Sequence, residues 1–183
     1  MKFGIILPSY LPSATVDGLR QTVVRAEELG YDSAWTTDHV MLPRSLERMP
    51  YHSIFEAVST LGWLAALTTR IKLGVSVVVL PQRHPVVLAK ELATLDQLSG
   101  GRIILGVGGG WCEQEFGFLN ADFHHRGRVY DEAIQVLRQL WTEPDKPFSG
   151  RYYHFADHSF APGPAQAGGI PIWVGGSSDA ALQ

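Results

Sequence analysis

Short unbroken apolar blocks alternate along this chain with stretches in which apolar residues return every three or four positions, the marks of buried strands and amphipathic helices. Phe3 to Leu7 is a block of the first kind, closed by Pro8, and Val16, Leu19, Val23 and Ala26 then recur at helical spacing as far as Gly30. A second strand is expected over Ser33 to Thr37. Its helix is expected near Ile54 to Leu67, after a polar, proline-containing loop around Pro43 to Pro50 that is longer than most such connections. Ile71 to Leu80 reads as the third strand and Val86 to Leu98 as the next helix, with Pro85 in its first turn. The turn Ser99-Gly100-Gly101 then leads into a fourth strand beginning at Arg102. A helix from about Arg128 to Trp141 carries Val129, Ala133, Val136, Leu137 and Leu140 on one stripe. A polar, proline-rich excursion from Glu143 to Gly169 follows, with a small hairpin expected around Gly150 to Phe155. The strand Pro171 to Val174 and a new helix start at Ser177 to Ala181 complete the pattern.

Strands alternating with helices imply a parallel sheet with right-handed crossovers, either open and doubly wound or closed into a barrel. A dinucleotide-binding sheet carries G-x-G-x-x-G after its first strand. Here that turn reads Pro8-Ser9-Tyr10, and in the later run Gly106-Val107-Gly108-Gly109-Gly110-Trp111 a tryptophan replaces the last glycine. The α/β barrel, whose strand ends deliver site residues, is therefore the expected fold. It would be truncated after about five of its eight βα units. Residues 1–183 then form a single domain, with the excursion at 143–169. An open partial barrel exposes strand edges and apolar helix faces, so the chain is expected to be a fragment or to be covered by association.

Candidate chemistry gathers at the strand ends. Ala34-Trp35-Thr36-Thr37-Asp38-His39 sets an acid and an imidazole at the mouth of the second strand. Histidine titrates near neutrality and a neighbouring carboxylate orients it, so the pair suits proton transfer. A helix-capping Asp beside a structural His accounts for the same residues. In Leu73 to Pro81, a bulge near Ser76 and Val77 would push backbone under a planar ligand, with a plain core strand as the alternative. Gly108, Gly109 and Gly110 offer unhindered N–H groups ahead of a helix, as phosphate sites do, although a tight turn also uses glycine. Val174-Gly175-Gly176-Ser177-Ser178-Asp179 repeats the arrangement with hydroxyls added, and two such places favour a phosphorylated cofactor. Glu113, Gln114 and Glu115 suit either a pocket or the dipole of a first helical turn. Trp63 and Trp141 fall on helical stripes and are expected in the core.

Composition narrows the remaining classes. With 45% hydrophobic and 18% charged residues, a chain of this length buries a real core. A net charge of −3 and scattered basic residues give no basis for nucleic-acid binding. No apolar run approaches the roughly 20 residues needed to span a bilayer, and Cys112 is the only cysteine, so no internal disulfide forms. A reduced, cytoplasmic protein is expected. None of the seven histidines has metal-ligand spacing, so no metal site is expected, and Cys112 has no evident base to make it a nucleophile.

Several segments in order, MKFGIILPSY, DSAWTTDHV, IKLGVSVVVLPQRHPVVLAKELATLDQLSGGR, RIILGVGGGWCEQEF, RGRVYDEAIQVLRQLW and GIPIWVGGSSDAAL, resemble the luciferase-like monooxygenase superfamily. The likeness is greatest to its oxidoreductases dependent on deazaflavin (coenzyme F420) and covers essentially the whole chain. It implies a (β/α)8 barrel with the cofactor ring across the strand ends. It further implies that Asp38 contacts the deazaflavin and that His39 sits beside the reactive carbon as a proton-transfer group. By the same resemblance, Ser76 and Val77 form a non-proline cis peptide bulge behind the ring. Gly108, Gly109, Gly110 and Gln114 are the fourth-strand cofactor contacts, and Gly175, Gly176, Ser177 and Ser178 the phosphate grip. Dimers are common in the family, which makes a homodimer one expected state.

The chain departs from the family's sugar-phosphate dehydrogenases at Trp111, where those enzymes carry a catalytic glutamate; Trp111 is expected to stack on substrate or ring instead. The function implied is hydride transfer between bound deazaflavin and a small organic substrate. Three alternatives stay open: a monooxygenase using flavin mononucleotide (FMN), a barrel aldolase or isomerase, and a truncated barrel without activity. The aldolase would want a lysine at the strand ends, whereas Lys72 lies at a strand start.

Overall fold

Leu19, Val23 and Ala26 stack one turn apart on a helix, and residues two apart on a strand share a face; these two periods build the architecture. The computed structural model describes residues 1–10, 14–49 and 53–176. Along the chain, β1 (Gly4–Ile6) leads to α1 (Val16–Glu28), β2 (Ser33–Thr36) to α2 (Ala57–Leu67), and β3 (Lys72–Val79) to α3 (Pro85–Ser99). β4 (Ile103–Gly108) leads to the short α4 (Glu113–Phe118) and the long α5 (Arg126–Thr142). A small antiparallel hairpin of β5 (Phe148–Ser149) and β6 (His154–Phe155) precedes β7 (Ile172–Val174). The five-stranded sheet runs β1-β2-β3-β4-β7 with every neighbouring pair parallel.

One sheet face packs on the helices. Ala34, Leu73, Val75, Ile103, Leu105 and Val107 are buried against Leu19 and Val23 of α1, Leu61 and Leu64 of α2, Leu88 and Leu92 of α3, and Val136 and Leu137 of α5. The other face is concave. Trp35 on β2 and Trp173 on β7 approach to 5.0 Å between ring centroids, although their strands would lie about 14 Å apart in a flat sheet. The sheet curls as a barrel wall does, and glycine makes the space: a Cβ on Gly74 would lie 2.5 Å from the Trp35 ring. Trp173 is 55% and Ile6 50% exposed on the two outermost strands.

The end of the sheet away from the strand C-termini is fastened by buried polar groups. Arg102 donates to the carbonyls of Ala65, Thr68, Ile71 and Ser99, satisfying groups left open where α2 and α3 end and just before β3. Asp96 accepts from the Gln166 amide and side chain at 2.9 and 2.8 Å, pinning the excursion to α3. Gly100 closes α3 in the left-handed conformation, as the Ser99-Gly100-Gly101 turn requires.

Three sequence expectations are corrected. α2 starts at Ala57 rather than near Ile54, because the Glu56 carboxylate accepts from the amides of Val58 and Ser59 and caps the helix there. Trp63 is 37% exposed; the buried stripe of α2 is Ala57, Val58, Leu61, Leu64 and Ala65, and Trp63 falls beside it. Val16 is likewise exposed at the start of α1. The helix expected at Ser177 to Ala181 lies outside the described residues.

Candidate functional site

Because the sheet strands all point one way, their carboxyl ends share a rim. Register links them: Thr36 lies beside Val75, Val79 beside Gly108, and Val107 beside Val174. His39, Ser76, Gly109 and Gly176 lie at or just past these positions, so the structure brings all four to one edge of the sheet, where barrels of this class hold ligands.

β3 breaks step at this edge. Its pairing with β4 shifts between Val75 and Val78, and the Ser76–Val77 peptide is cis. Val77 projects toward β4 and β7: a Cβ on Gly108 would lie 2.6 Å from Val77 Cγ2, and one on Gly175 would lie 2.5 Å from Cγ1. Glycine at these two positions therefore makes a socket for Val77, a packing reason that the sequence did not supply. Gly110, with φ of 77°, turns the chain toward α4 in a conformation that glycine adopts most readily. Gly109 is different, since nothing lies within 4 Å of where its Cβ would be. The Gly175 amide donates to the Val107 carbonyl at 2.8 Å and is committed to the sheet. Ser177 and Ser178 lie outside the described residues.

The Asp38 side chain, expected against a ring, is turned inward and only 1% exposed. It accepts from Arg83 Nη2 at 2.7 Å and Nε at 3.3 Å, and from the Val79 amide at 3.1 Å. Arg83 also donates to Glu56 at 2.9 Å. These charge-assisted bonds tie the ends of β2 and β3 to the start of α2. Burial pulls the Arg83 guanidinium down, but the charges and hydrogen bonds of Asp38 and Glu56 outweigh it and hold it above its ordinary value. The Asp38 carboxylate is thus committed to holding the rim itself.

His39 is held by a residue that the sequence presents only as one acid of a first helical turn. Glu115, 1% exposed, takes His39 Nδ1 at 3.0 Å on Oε2 and accepts the amides of Val40 and Met41 at 2.8 and 3.2 Å on Oε1. Burial works to raise the Glu115 carboxyl, yet the hydrogen bonds from His39 and Val40 prevail and hold it below its ordinary value of 4.5. Trp111, 53% exposed, sets its ring edge-on to His39 with centroids 5.8 Å apart. Gln114 is exposed, and its side chain accepts from the buried Cys112 thiol at 3.8 Å. Among the described residues there is no cluster suited to a metal ion.

The carboxyls of Glu115 and Glu56 are both held low: burial raises each, and it is outweighed by the hydrogen bonds of His39 and the Val40 amide at Glu115, and by those of Ser59 and the Val58 amide at Glu56. The folded chain therefore binds fewer protons than the unfolded one near pH 4.5. Their stabilisation is complete above that pH and is lost as pH falls through the depressed folded values. Acid titration followed by tryptophan fluorescence should show the rim loosening below the ordinary carboxylate range, with a smaller pH-dependent loss in Glu56→Gln. An identical acid profile in that variant would contradict this assignment.

A flat ring fits what the rim presents: bare backbone at Gly109, the exposed Ser76, the indole of Trp111 and the polar edge of His39. The family profile described as luciferase-like monooxygenase matches residues 1–183. The chain belongs to the luciferase-like monooxygenase family. Two curated relatives are named F420-dependent glucose-6-phosphate dehydrogenase. The one from Amycolatopsis mediterranei is 36% identical over 175 residues, which cover 90% of this chain and 50% of its own length. The one from Intrasporangium calvum is 37% identical over 174 residues, covering 88% and 49%. Among solved structures, an F420-dependent secondary alcohol dehydrogenase in complex with an F420-acetone adduct gives a TM-score of 0.78 at 26% identity, over 96% of this chain and 53% of that one. The monooxygenase RslO1 from Streptomyces bottropensis gives 0.81 at 28%, over 95% and 53%. This luciferase-like chain spans about half the length of the curated relatives it matches.

Proposed function

We propose that this chain carries the cofactor-binding part of an F420-dependent oxidoreductase that passes a hydride between bound deazaflavin and a small organic substrate. The observation that carries the reading is the placement of His39, the Ser76–Val77 bulge and the open Gly109 backbone on one rim. Relatives named for F420 dependence support the choice of cofactor. Deazaflavin, when bound, supplies the carbon that accepts or donates the hydride. The chain supplies position and proton handling. The Ser76–Val77 backbone and Gly109 would border the ring, and Gly176, Ser177 and Ser178 would hold the phosphate-bearing tail. His39 exchanges a proton with the substrate heteroatom, while Trp111 packs against the substrate. Residues 1–183 act as one barrel-type domain with the excursion at 143–169, working in the cytoplasm; no helix among the described residues is long and apolar enough to cross a membrane.

The likeness to the monooxygenase RslO1 favours a second reading, a monooxygenase, for which the family resemblance implies FMN as the cofactor. Titrating the purified chain with each cofactor and following cofactor fluorescence separates the two. Tighter binding of deazaflavin is expected; tighter binding of FMN, with oxygen consumed by the reduced complex, would favour the monooxygenase. Gly109→Ala refines the test. With open space around the new methyl group, its thermal midpoint should scarcely move, while deazaflavin affinity should fall on the order of tenfold, about 1.4 kcal/mol. Unchanged affinity would remove Gly109 from the site.

A further inference from the structure

The proposed proton exchange leaves open which nitrogen of His39 performs it, and the buried Glu115 answers this. An ionised carboxylate only accepts hydrogen bonds. Glu115 already takes two backbone N–H groups on Oε1, from Val40 and Met41, and its Oε2 faces His39 Nδ1 at 3.0 Å. Nδ1 must therefore carry a hydrogen, and in the neutral imidazole the lone pair lies on Nε2. The two amides also fix the carboxylate in place, because rotating it would strand both donors in a buried site. Trp111 adds an edge-on contact that restricts the imidazole from a second direction.

We propose that Glu115 is a positioning residue that locks His39 in the Nδ1–H tautomer, making Nε2 the atom that exchanges a proton with the substrate. In the oxidising direction Nε2 would accept the substrate hydroxyl proton, and a bound deazaflavin would supply the acceptor for the adjacent C–H hydride, leaving a carbonyl. In the reducing direction Nε2 would return the proton as the hydride is given back to the carbonyl carbon. The inference rests on the F420 reading for its chemistry, but not for its geometry.

Glu115→Gln gives an isosteric test. The glutamine oxygen stays with the Val40 and Met41 amides, so its NH2 group turns to Nδ1 and donates. His39 must then hold its hydrogen on Nε2, the wrong tautomer for a base at that atom, the logic by which a carboxylate-to-amide change disables a catalytic histidine elsewhere. Ring-nitrogen NMR of 15N-histidine-labelled chain, with His39→Gln identifying the resonance, reads the tautomer without cofactor or turnover. The wild-type chain should show the Nδ1–H pattern, and Glu115→Gln should show Nε2–H with an unchanged amide spectrum. An Nε2–H tautomer in the wild type would overturn the proposal even if the variant failed to fold, and so would an unchanged tautomer in a folded variant. A tautomer switch in a chain that binds no deazaflavin would uphold the Glu115 lock and sink the cofactor assignment alone.

Discussion

Gly106→Ala is expected to destabilise the chain by about 3 kcal/mol or more, the upper range for forcing atoms into a close-packed core. Its Cβ would lie 2.2 Å from the Val75 carbonyl oxygen. That oxygen is backbone on the neighbouring strand, where Val75 pairs in register with Leu105, so it cannot swing aside as a side chain would. Relief requires β3 and β4 to move apart beside the bulge. Gly108→Ala should cost about 1–3 kcal/mol by a different route, since its Cβ meets Val77 Cγ2 at 2.6 Å. Removing those γ-carbons should rescue it: Gly108→Ala combined with Val77→Ala should be less destabilised than the sum of the single changes by about 1 kcal/mol or more. Val77→Ala should not rescue Gly106→Ala to the same degree. Denaturation midpoints of the three single and two double variants decide it, and strict additivity for the Gly108 pair would mean that Val77 does not occupy the glycine socket.

The second large effect is expected from Arg83→Ala, at about 3 kcal/mol, because truncating one partner of a buried ion pair leaves the other charge uncompensated. Asp38, 1% exposed, would keep only the Val79 amide. Glu56 would lose its cation but retain the amides of Val58 and Ser59, so the damage should concentrate where β2 and β3 end. Arg83→Lys should recover only part of the loss, since one ammonium group cannot reproduce the fork that reaches Asp38 and Glu56 together. Urea unfolding of both variants at neutral pH is the measurement. A change below about 1 kcal/mol for Arg83→Ala, the range of an exposed pair, would show that the network does not hold the rim.

What the sequence revealed follows the range of the forces involved. Strand blocks and helical stripes are local patterns, and β2, β3, β4, α3 and α5 appear within two residues of their expected bounds. The glycines after β4 were legible as a feature but not in their separate duties. Only the register shift in β3 shows that Gly108 houses Val77 while Gly109 stays open. Glu115 looked like any acid in a first helical turn because its partner His39 is 76 residues away. Arg83 carried no signal, since its link to Asp38 spans 45 residues and both are ordinary loop residues. The bulge at Ser76–Val77 was expected from family resemblance, as no propensity marks it. Trp63 misled for a simpler reason: in the short, strongly apolar α2, a stripe one position wider still looks amphipathic, and packing decides which edge faces the sheet.

Amide chemical-shift mapping of the 15N-labelled chain with deazaflavin tests the central claim most directly. The account predicts saturable shifts at Asp38 and His39, Ser76 and Val77, Gly109 to Trp111, and Gly175 and Gly176, with none at Thr68 to Ile71 or Ser99 to Arg102 at the opposite end of the sheet. Shifts concentrated at that opposite end, or no saturable shift at the rim, would contradict it.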